Sequence, residues 1–320
     1  MIRVSRLTCA IGALLLASGV GAQDYPTKPI TFVVPFAAGS ATDQLARALG
    51  QSVSEQGKQA VVVDNKPGAS GFLAAQFVAK APPDGHTVLI TTNTTHAANE
   101  HLYKSMPYDP VKDFAPVTLL GKGGQIMIVN PKVQAKTVGE FLALAKKNPG
   151  KLSFGSGSSS SRIAGELLQQ MAGIELLHIP YKSNPLAITD LLGGQIDMMI
   201  TDTATGLPQV KGGKVRALGV TARTRTPLAP DIPTIDEAGV KGYEMGYWFA
   251  AYVPAKTPPA TVARLQKMLV AATKSASAKA FYENTGTEIV TSTPEELAKF
   301  QAAESQKWGR IIKAAKIEPE

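Results

Sequence analysis

Residues 30–47 read ITFVVPFAAGSATDQLAR, and this stretch decides the fold that the rest of the sequence predicts. The apolar run Ile30–Val34 has the length of a buried strand, and Pro35 ends it because proline cannot donate to a sheet ladder. Small residues follow, and Thr42 and Asp43 then open a predicted helix. Free N–H groups and the positive dipole end of such a helix favour an anion. Considered alone, the stretch fits an ordinary strand–turn–helix better than a binding loop.

A second unit of the same kind lies far along the chain. Residues 151–154 predict a short strand, residues 155–161 (GSGSSSS) a hydroxyl-rich loop, and Arg162 the start of a helix with an apolar stripe. Two such helix N-termini can face each other across a cleft and hold an anion with charge at both ends. A guanidinium is poorly placed at a helix start, so Arg162 is interpreted as the partner of a carboxylate. The alternative is a solvated arginine that points away from the cleft.

The remaining chain alternates predicted strands and helices, which is typical of an α/β fold with parallel strands. Ligands bind beyond the carboxyl ends of strands in such sheets, so the polar residues 92–100 and 201–203 are candidate contacts. The length of 320 residues favours two domains. Predicted strands cover 60–64, 86–91, 117–120, 126–129, 176–179, 196–200, 215–221 and 247–253, and predicted helices cover 71–79, 138–147, 185–192, 261–276 and 294–315.

The N-terminus has the parts of a secretory signal peptide over residues 1–22. Arg3 and Arg6 supply its charged region, residues 10–17 its apolar region, and residues 20–22 small side chains for cleavage. The apolar run is shorter than the roughly 20 residues that a membrane span needs. Cys9 is the only cysteine and precedes that run, so neither lipid attachment nor a disulfide is expected. We therefore expect an exported, periplasmic protein.

Charge and motifs argue for a small anionic ligand and against catalysis. The net charge of +8 becomes about +6 without Arg3 and Arg6 (8 − 2), and the basic residues are spread out, unlike a nucleic-acid footprint. The histidines at 86, 96, 101 and 178 form no H-E-x-x-H motif, and no G-x-S-x-G elbow, P-loop or dinucleotide fingerprint is present. We expect no enzyme activity, cofactor or metal. A periplasmic ligand sensor and a secreted hydrolase are the alternatives.

Ordered motifs across nearly the whole mature chain resemble one known family. They include PFAAGSATDQLAR (35–47), VVVDNKPGASG (61–71), KAPPDGHTVLI (80–90), YDPVKDFAPVTLL (108–120), NPGKLSFGSGS (148–158), HIPYK (178–182), DLLGGQIDMM (190–199), GGKVRALGVT (212–221) and PTIDEAG (233–239). The chain thus strongly resembles the solute receptors of tripartite tricarboxylate transporters, the Bug receptor family.

This resemblance implies a type II periplasmic-binding fold, in which two α/β domains joined by two crossing strands close on a ligand. We expect residues 23–124 and 248–320 in one domain and 125–247 in the other. The ligand would be a small carboxylate. The interpretation of Arg162 as a carboxylate partner favours a dicarboxylate, aliphatic or aromatic. The partners would be the large and small membrane subunits of the transporter, with no nucleic acid, and the receptor would be a monomer.

The resemblance also implies binding loops at residues 36–43 and 156–162. Within them the chain departs from common family members at Ser40, which stands in place of glycine, and at Ser161-Arg162, which replaces Gln-His; Ile200-Thr201-Asp202 stands where Phe-Asp-Asn is usual. Ligand specificity therefore cannot be copied from a relative. The predicted ligand contacts are Phe36, Ala38, Gly39, Ser40, Ala41, Thr42, Asp43, Asn93, His96, Ser156, Gly157, Ser158, Ser160, Arg162, Tyr181, Asp202 and Thr203.

Overall fold

The structure is a computed structural model that describes residues 25–319, so the predicted signal peptide lies outside the described residues. The strands are β1 (Ile30–Val34), β2 (Val61–Asn65), β3 (Thr87–Thr92), β4 (Phe114–Val129), β5 (Ser153–Ser156), β6 (Leu177–Pro180), β7 (Met198–Asp202), β8 (Arg216–Val220) and β9 (Gly246–Pro254). The helices are α1 (Ala41–Gly57), α2 (Phe72–Ala79), α3 (Asn99–Leu102), α4 (Val138–Lys147), α5 (Ser159–Ala172), α6 (Asn184–Gly193), α7 (Thr203–Lys211), α8 (Pro259–Ala272), α9 (Ala276–Thr285) and α10 (Pro294–Ala314), with a 3-10 turn at Ala69–Gly71 and a π-helix at Thr94–Ala98.

Over residues 25–319 the strands join in one mixed sheet with two parallel ends. The order is β2-β1-β3-β9-β4-β7-β5-β6, and β8 pairs with β4 on the edge opposite β7. Strand β1 is parallel to both β2 and β3, and β5 is parallel to both β6 and β7. Helices connect these parallel strands, as right-handed βαβ crossovers require. The predicted α/β class is confirmed, and the parallel carboxyl ends of both halves point towards the middle of the molecule.

Strands β4 and β9 cross between the two halves. Strand β9 is antiparallel to β3 and to the first part of β4, from Phe114 to Gly124, whereas β7 and β8 pair with β4 from Gln125 onward. The prediction of two separate strands at 117–120 and 126–129 was wrong, because the intervening glycines stay extended and paired with β9. The change of partner lies at the predicted domain boundary of 124/125; the division into domains stays a prediction.

The hydrophobic core packs on both faces of the sheet. One cluster joins α2, α4, α5 and α10 to the sheet through residues such as Phe141, Phe154 and Trp308, and a second joins α1, α8 and α9 through Leu45 and Leu265. A smaller cluster lies under α6 and α7. Among the described helices, none has the length and apolar character needed to cross a bilayer.

Several helix boundaries differ from the sequence prediction for local reasons. Helix α5 begins at Ser159, three residues before Arg162, because Ser158 caps it by accepting from the Ser161 amide. Helix α7 was missed, since Pro208 lies inside it and its apolar pattern is weak. Helix α9 was missed, since the predicted helix at 261–276 ends where α9 begins, although Ser275 caps α9 as a separate element.

Gly165 offers a test of how closely α5 packs on β5. A Cβ at this position would overlap the ring of Phe154, which is fully buried and stacks on His178. We expect Gly165→Ala to lower the free energy of unfolding by about 1–3 kcal/mol through overpacking. The matched control is Gly139→Ala in α4, where a Cβ meets nothing closer than 4.0 Å. We expect Gly139→Ala to raise the free energy of unfolding by up to about 1 kcal/mol, because alanine has a higher helix propensity than glycine. Urea unfolding of both variants measures this, and equal stabilities would contradict the packing argument.

Candidate functional site

A cavity lies between the two halves of the sheet, where the carboxyl ends of parallel strands from both halves meet. Its volume is about 30 Å³, which is room for only a water molecule or two. Helix N-termini of α1 on one side and of α5, α6 and α7 on the other surround it. The residues that line it are Phe36, Ser40, Ala41, Thr42, Thr92, Gln125, Gly157, Ser158, Ser160, Asn184, Asp202, Tyr247 and Phe249.

The first loop is shaped by Gly39 and by the cap of α1. Gly39 has a φ of 81°, a conformation that side chains disfavour. Ser40 is the N-cap, and its Oγ accepts from the Asp43 amide at 3.3 Å. The amides of Ala41 and Thr42 come before the first helical hydrogen bond, so they have no acceptor within the helix. This end of the cavity therefore presents backbone donors and the Thr42 hydroxyl.

Asp43 holds the first loop in place. Its Oδ2 accepts from the Gly39 amide at 2.9 Å and from Arg47 Nε at 3.1 Å. Its Oδ1 accepts from Asn65 Nδ2 at 3.0 Å, and the same Nδ2 donates to the Phe36 carbonyl at 2.9 Å. Burial raises the pKa of the Asp43 carboxyl, but the hydrogen bonds from Arg47, Gly39 and Asn65 outweigh burial and leave its pKa below the ordinary value.

The second loop is fixed by Asn184 at the start of α6. Gly157 donates its amide to Asn184 Oδ1 at 3.0 Å, and a Cβ at Gly157 would collide with the backbone of Ser183. Ser158 caps α5, which leaves the amides of Ser159 and Ser160 without an acceptor inside the helix. The two loops thus bring helix N-termini from opposite halves of the sheet to one cavity.

The floor of the cavity is formed by the crossing strands and by Asp202. Asp202 caps α7, with Oδ1 accepting from the Thr205 amide at 2.8 Å and Oδ2 accepting from Asn184 Nδ2 at 2.9 Å. Burial, together with the charge of Asp202, raises the pKa of the Tyr247 phenol to about 12. Tyr247 therefore remains a neutral hydroxyl over the physiological range.

Direct hydrogen bonds join the two halves beside the cavity. Ser159 Oγ donates to Asn99 Oδ1 at 2.8 Å, and Thr203 Oγ1 donates to the Thr285 carbonyl. Because the cavity is small and both walls touch, the structure is a closed form of the cleft.

The structure brings together about half of the predicted contacts. Phe36, Ser40, Ala41, Thr42, Gly157, Ser158, Ser160 and Asp202 line the cavity. The remaining predicted contacts lie elsewhere: Ala38 and Gly39 are exposed, Asp43 holds the first loop from behind, and Thr203 joins the halves. Asn93 is fully buried, with its Oδ1 accepting from the Trp248 amide.

His96 is a core residue in this structure, although it was predicted to contact a ligand. Its ring is fully buried, stacks on Tyr252 with centroids 3.9 Å apart, and has Nδ1 2.9 Å from Thr95 Oγ1. Burial lowers the pKa of His96 to about 3, so the ring is neutral. The polar stretch 92–100 was predicted to offer ligand contacts, and residues Thr94–Ala98 within it form a buried π-helix.

Arg162, Ser156 and Tyr181 line a second cavity of about 130 Å³ on the other side of the Gly157–Ser159 loop. Ser156 Oγ lies 2.7 Å from His178 Nε2, and Tyr181 donates to Asp190 Oδ2 at 2.8 Å. Arg162 is the fourth residue of α5, and its charge lies close to Glu166 one turn further on. Helix α5 therefore starts before Arg162, contrary to the prediction, and the role of Arg162 as a ligand contact stays a prediction.

Sequence reasoning missed Gln125, Asn184, Tyr247 and Phe249 as lining residues, whereas Thr92 lies in the stretch 92–100 that was singled out as candidate contacts. Asn184 could have been found, since it follows a parallel strand and opens a helix, as Ser40 and Ser158 do. Gln125 and the aromatic pair gave no such signal, because their position depends on how β4 and β9 cross. Within residues 25–319, no group of three or more histidine, aspartate or glutamate side chains is placed to hold a metal ion.

Two α/β halves, two crossing strands and a cavity between the halves walled by helix N-termini define a solute-binding protein of the type II periplasmic class. A family model for the tripartite tricarboxylate transporter family receptor matches residues 45–317. The chain belongs to this family, whose members are substrate-binding receptors and not enzymes.

Similar proteins and structures match this chain over nearly its whole length. The UPF0065 protein in the tcbD-tcbE intergenic region of Pseudomonas sp. (strain P51) is 36% identical over 313 residues, covering 96% of this chain and 93% of that protein. BugT of Bordetella pertussis is 30% identical, with 97% of each chain covered. The structure of R. palustris Rpa4515 with adipate has a TM-score of 0.90 at 34% identity and covers 93% of this chain and 100% of that one. MatC from Rhodopseudomonas palustris with bound malate has a TM-score of 0.86 at 29% identity, covering 90% and 100%.

Asp43→Asn tests how the first loop is held. Its lowered native pKa means that the carboxylate adds stability above the unfolded value of about 3.9, and that this stability is lost as pH falls through the native pKa. We expect the variant to lose about 1–3 kcal/mol at pH 7, because Arg47 and the Gly39 amide lose a charged acceptor. The deficit should narrow as pH falls below about 4.

Urea unfolding at a series of pH values measures this deficit. The control is Asp64→Asn, whose carboxylate lies 3.0 Å from Lys66 at the surface and whose removal should cost less than about 1 kcal/mol. A deficit for Asp43→Asn that stays constant with pH would show that its charge does not hold the loop.

Proposed function

We propose that this protein is an exported receptor that captures a small dicarboxylate between its two domains and delivers it to the membrane subunits of a tripartite tricarboxylate transporter. One observation carries the proposal: the N-termini of α1 and α5, from opposite halves of the sheet, meet at one cavity. Backbone amides at helix N-termini bind carboxylates without a formal positive charge nearby.

Each end of the ligand has complementary groups in this arrangement. On one side stand the amides of Ala41 and Thr42 with the Thr42 hydroxyl, and on the other the amides of Ser159 and Ser160 with the hydroxyl of Ser160. Between them, the aromatic side chains of Phe36 and Phe249 offer contact to a hydrocarbon linker, aliphatic or aromatic. The adipate and malate in the structures of similar proteins are dicarboxylates of this kind.

The closed cavity of about 30 Å³ is too small for even a short dicarboxylate. Entry therefore requires the halves to separate, with loss of the Ser159–Asn99 and Thr203–Thr285 hydrogen bonds. Hinge motion about the crossing strands provides such an opening. In this proposal residues 23–124 and 248–320 form one domain, residues 125–247 form the other, and residues 1–22 direct a monomeric receptor to the periplasm.

Two conservative variants test the carboxylate ends. Thr42→Val and Ser160→Ala each remove one hydroxyl from opposite walls of the cavity. We expect each to weaken the binding of its best dicarboxylate by roughly three- to tenfold, which corresponds to one hydrogen bond. Thr189→Val is the control, because Thr189 is exposed on α6 and donates only to the Pro185 carbonyl.

Titration calorimetry of residues 23–320 measures these affinities. The ligands are succinate, malate, adipate, aspartate and phthalate, with the corresponding neutral diamides as a comparison. Binding of the diamides but of no carboxylate would overturn the proposed function.

The Arg162→Ala variant tests whether ligand binding depends on the second cavity, which Arg162 lines. Because Arg162 lines the cavity beyond the Gly157–Ser159 loop and lies close to Glu166, we expect the variant to keep dicarboxylate affinity within about threefold of the unaltered protein. The same calorimetric titrations provide the measurement. A loss of a hundredfold or more would instead restore the earlier interpretation of Arg162 as a carboxylate clamp.

A further inference from the structure

The ligand cavity is lined by the side-chain carboxylate of Asp202. A dicarboxylate ligand without a hydrogen-bond donor would gain nothing from this acidic residue. Asp202 is 9% exposed and lines the cavity beside the N-terminus of α7. Three protein donors reach it: the Thr205 amide at 2.8 Å, Asn184 Nδ2 at 2.9 Å and the Thr201 hydroxyl at 3.4 Å. A carboxylate has about four acceptor sites, so Asp202 retains acceptor capacity on the cavity side.

Gln125 supplies a second acceptor next to Asp202. The two residues are paired across β4 and β7, and directly opposite residues on antiparallel strands have Cβ atoms about 4.5–5.5 Å apart. Gln125 is 1% exposed, lines the cavity, and has an Oε1 with no hydrogen-bond partner in the described part of the chain. A ligand that donates a hydrogen bond to this oxygen satisfies a buried acceptor that the protein leaves open.

The charge of the cavity lining also favours a ligand that carries a hydrogen-bond donor. Of the residues between 25 and 319 that line it, Asp202 alone bears a formal charge. A ligand that offers only carboxylates and methylene groups would bring negative charge against Asp202 with no donor between them, which is unfavourable in a desolvated site. A hydroxyl or an ammonium group on the ligand would satisfy both acceptors and separate the charges.

We infer that the ligand carries a hydrogen-bond donor, either a hydroxyl or an ammonium group, on the carbon beside one carboxylate, and that Asp202 and Gln125 receive this donor. This inference rests on the proposed function and narrows its substrate class to hydroxy- or amino-dicarboxylates. Asp202 and Gln125 select the donor, while the amides of α1 and α5 hold the carboxylates.

Succinate, malate and aspartate test the inference directly, since they differ only in bearing hydrogen, hydroxyl or ammonium at one carbon. We expect residues 23–320 to bind malate or aspartate at least tenfold more tightly than succinate, as one charge-assisted hydrogen bond provides. A preference for aspartate over malate identifies the ammonium as the donor, and the reverse preference identifies the hydroxyl.

Two variants test whether Asp202 and Gln125 cause the preference for a ligand that carries a donor. Asp202→Asn keeps an N-cap oxygen but removes the charge, and Gln125→Met keeps the length of the side chain but removes the acceptor. Each variant should weaken the binding of malate or aspartate and leave succinate binding nearly unchanged. The ratio of the two affinities should therefore approach one. Gln125→Met remains informative if Asp202→Asn disturbs the Asn184 network and fails to fold. Asp64→Asn, at the surface of the other half, should leave the ratio unchanged.

The outcomes separate the inference from the proposed function. Equal affinities for succinate, malate and aspartate would overturn the inference alone, and so would a preference that neither variant reduces. Failure of every carboxylate in the panel to bind would overturn the proposed function, and the inference with it.

Discussion

The long pairing of β4 with β9 is the constraint on which the rest of the structure depends. From Phe114 to Gly124 the two strands pair with each other, and beyond Gly124 strand β4 pairs with β7 and β8 instead. Both halves of the sheet are therefore built on one strand. The positions of Gln125, Tyr247 and Phe249 in the cavity floor follow from this crossing, and any relative motion of the halves must twist the same strands.

Each half positions its binding loop by the same device. Asn65, at the end of β2, ties the Phe36 carbonyl to Asp43, and Asn184, after β6, ties the Gly157 amide to Asp202. In both cases an asparagine beyond a neighbouring parallel strand uses its amide to brace a helix N-terminus. Buried hydrogen-bond networks of this kind make a loop rigid. Asn65 and Asn184 therefore hold the two loops in place beside the cavity.

The sequence predicted the parts of the fold that depend on local pattern. Apolar runs located the strands, and the loops at 36–43 and 155–161 identified both helix N-termini, because strand, small-residue loop and cap are adjacent in the chain. The prediction failed where distant contacts decide. Glycines between 121 and 124 suggested a break, but pairing with β9 keeps them extended. His96 looked like a polar loop residue, but stacking on Tyr252 and Phe114 makes it part of the core. Helix α5 begins at Ser159 and not at the predicted Arg162, because Ser158 caps it.

The hydrogen bonds from Ser159 to Asn99 and from Thr203 to Thr285 stabilise the closed arrangement of the two halves. Apparent affinity then depends on the fraction of molecules that are open at any moment: a receptor open about one-tenth of the time binds about tenfold more weakly than its open form would. The contacts between the two halves thereby help to set the concentration at which the receptor fills. Evolution can retune that threshold by changing Asn99 or Thr285 contacts while the chemistry of recognition stays the same.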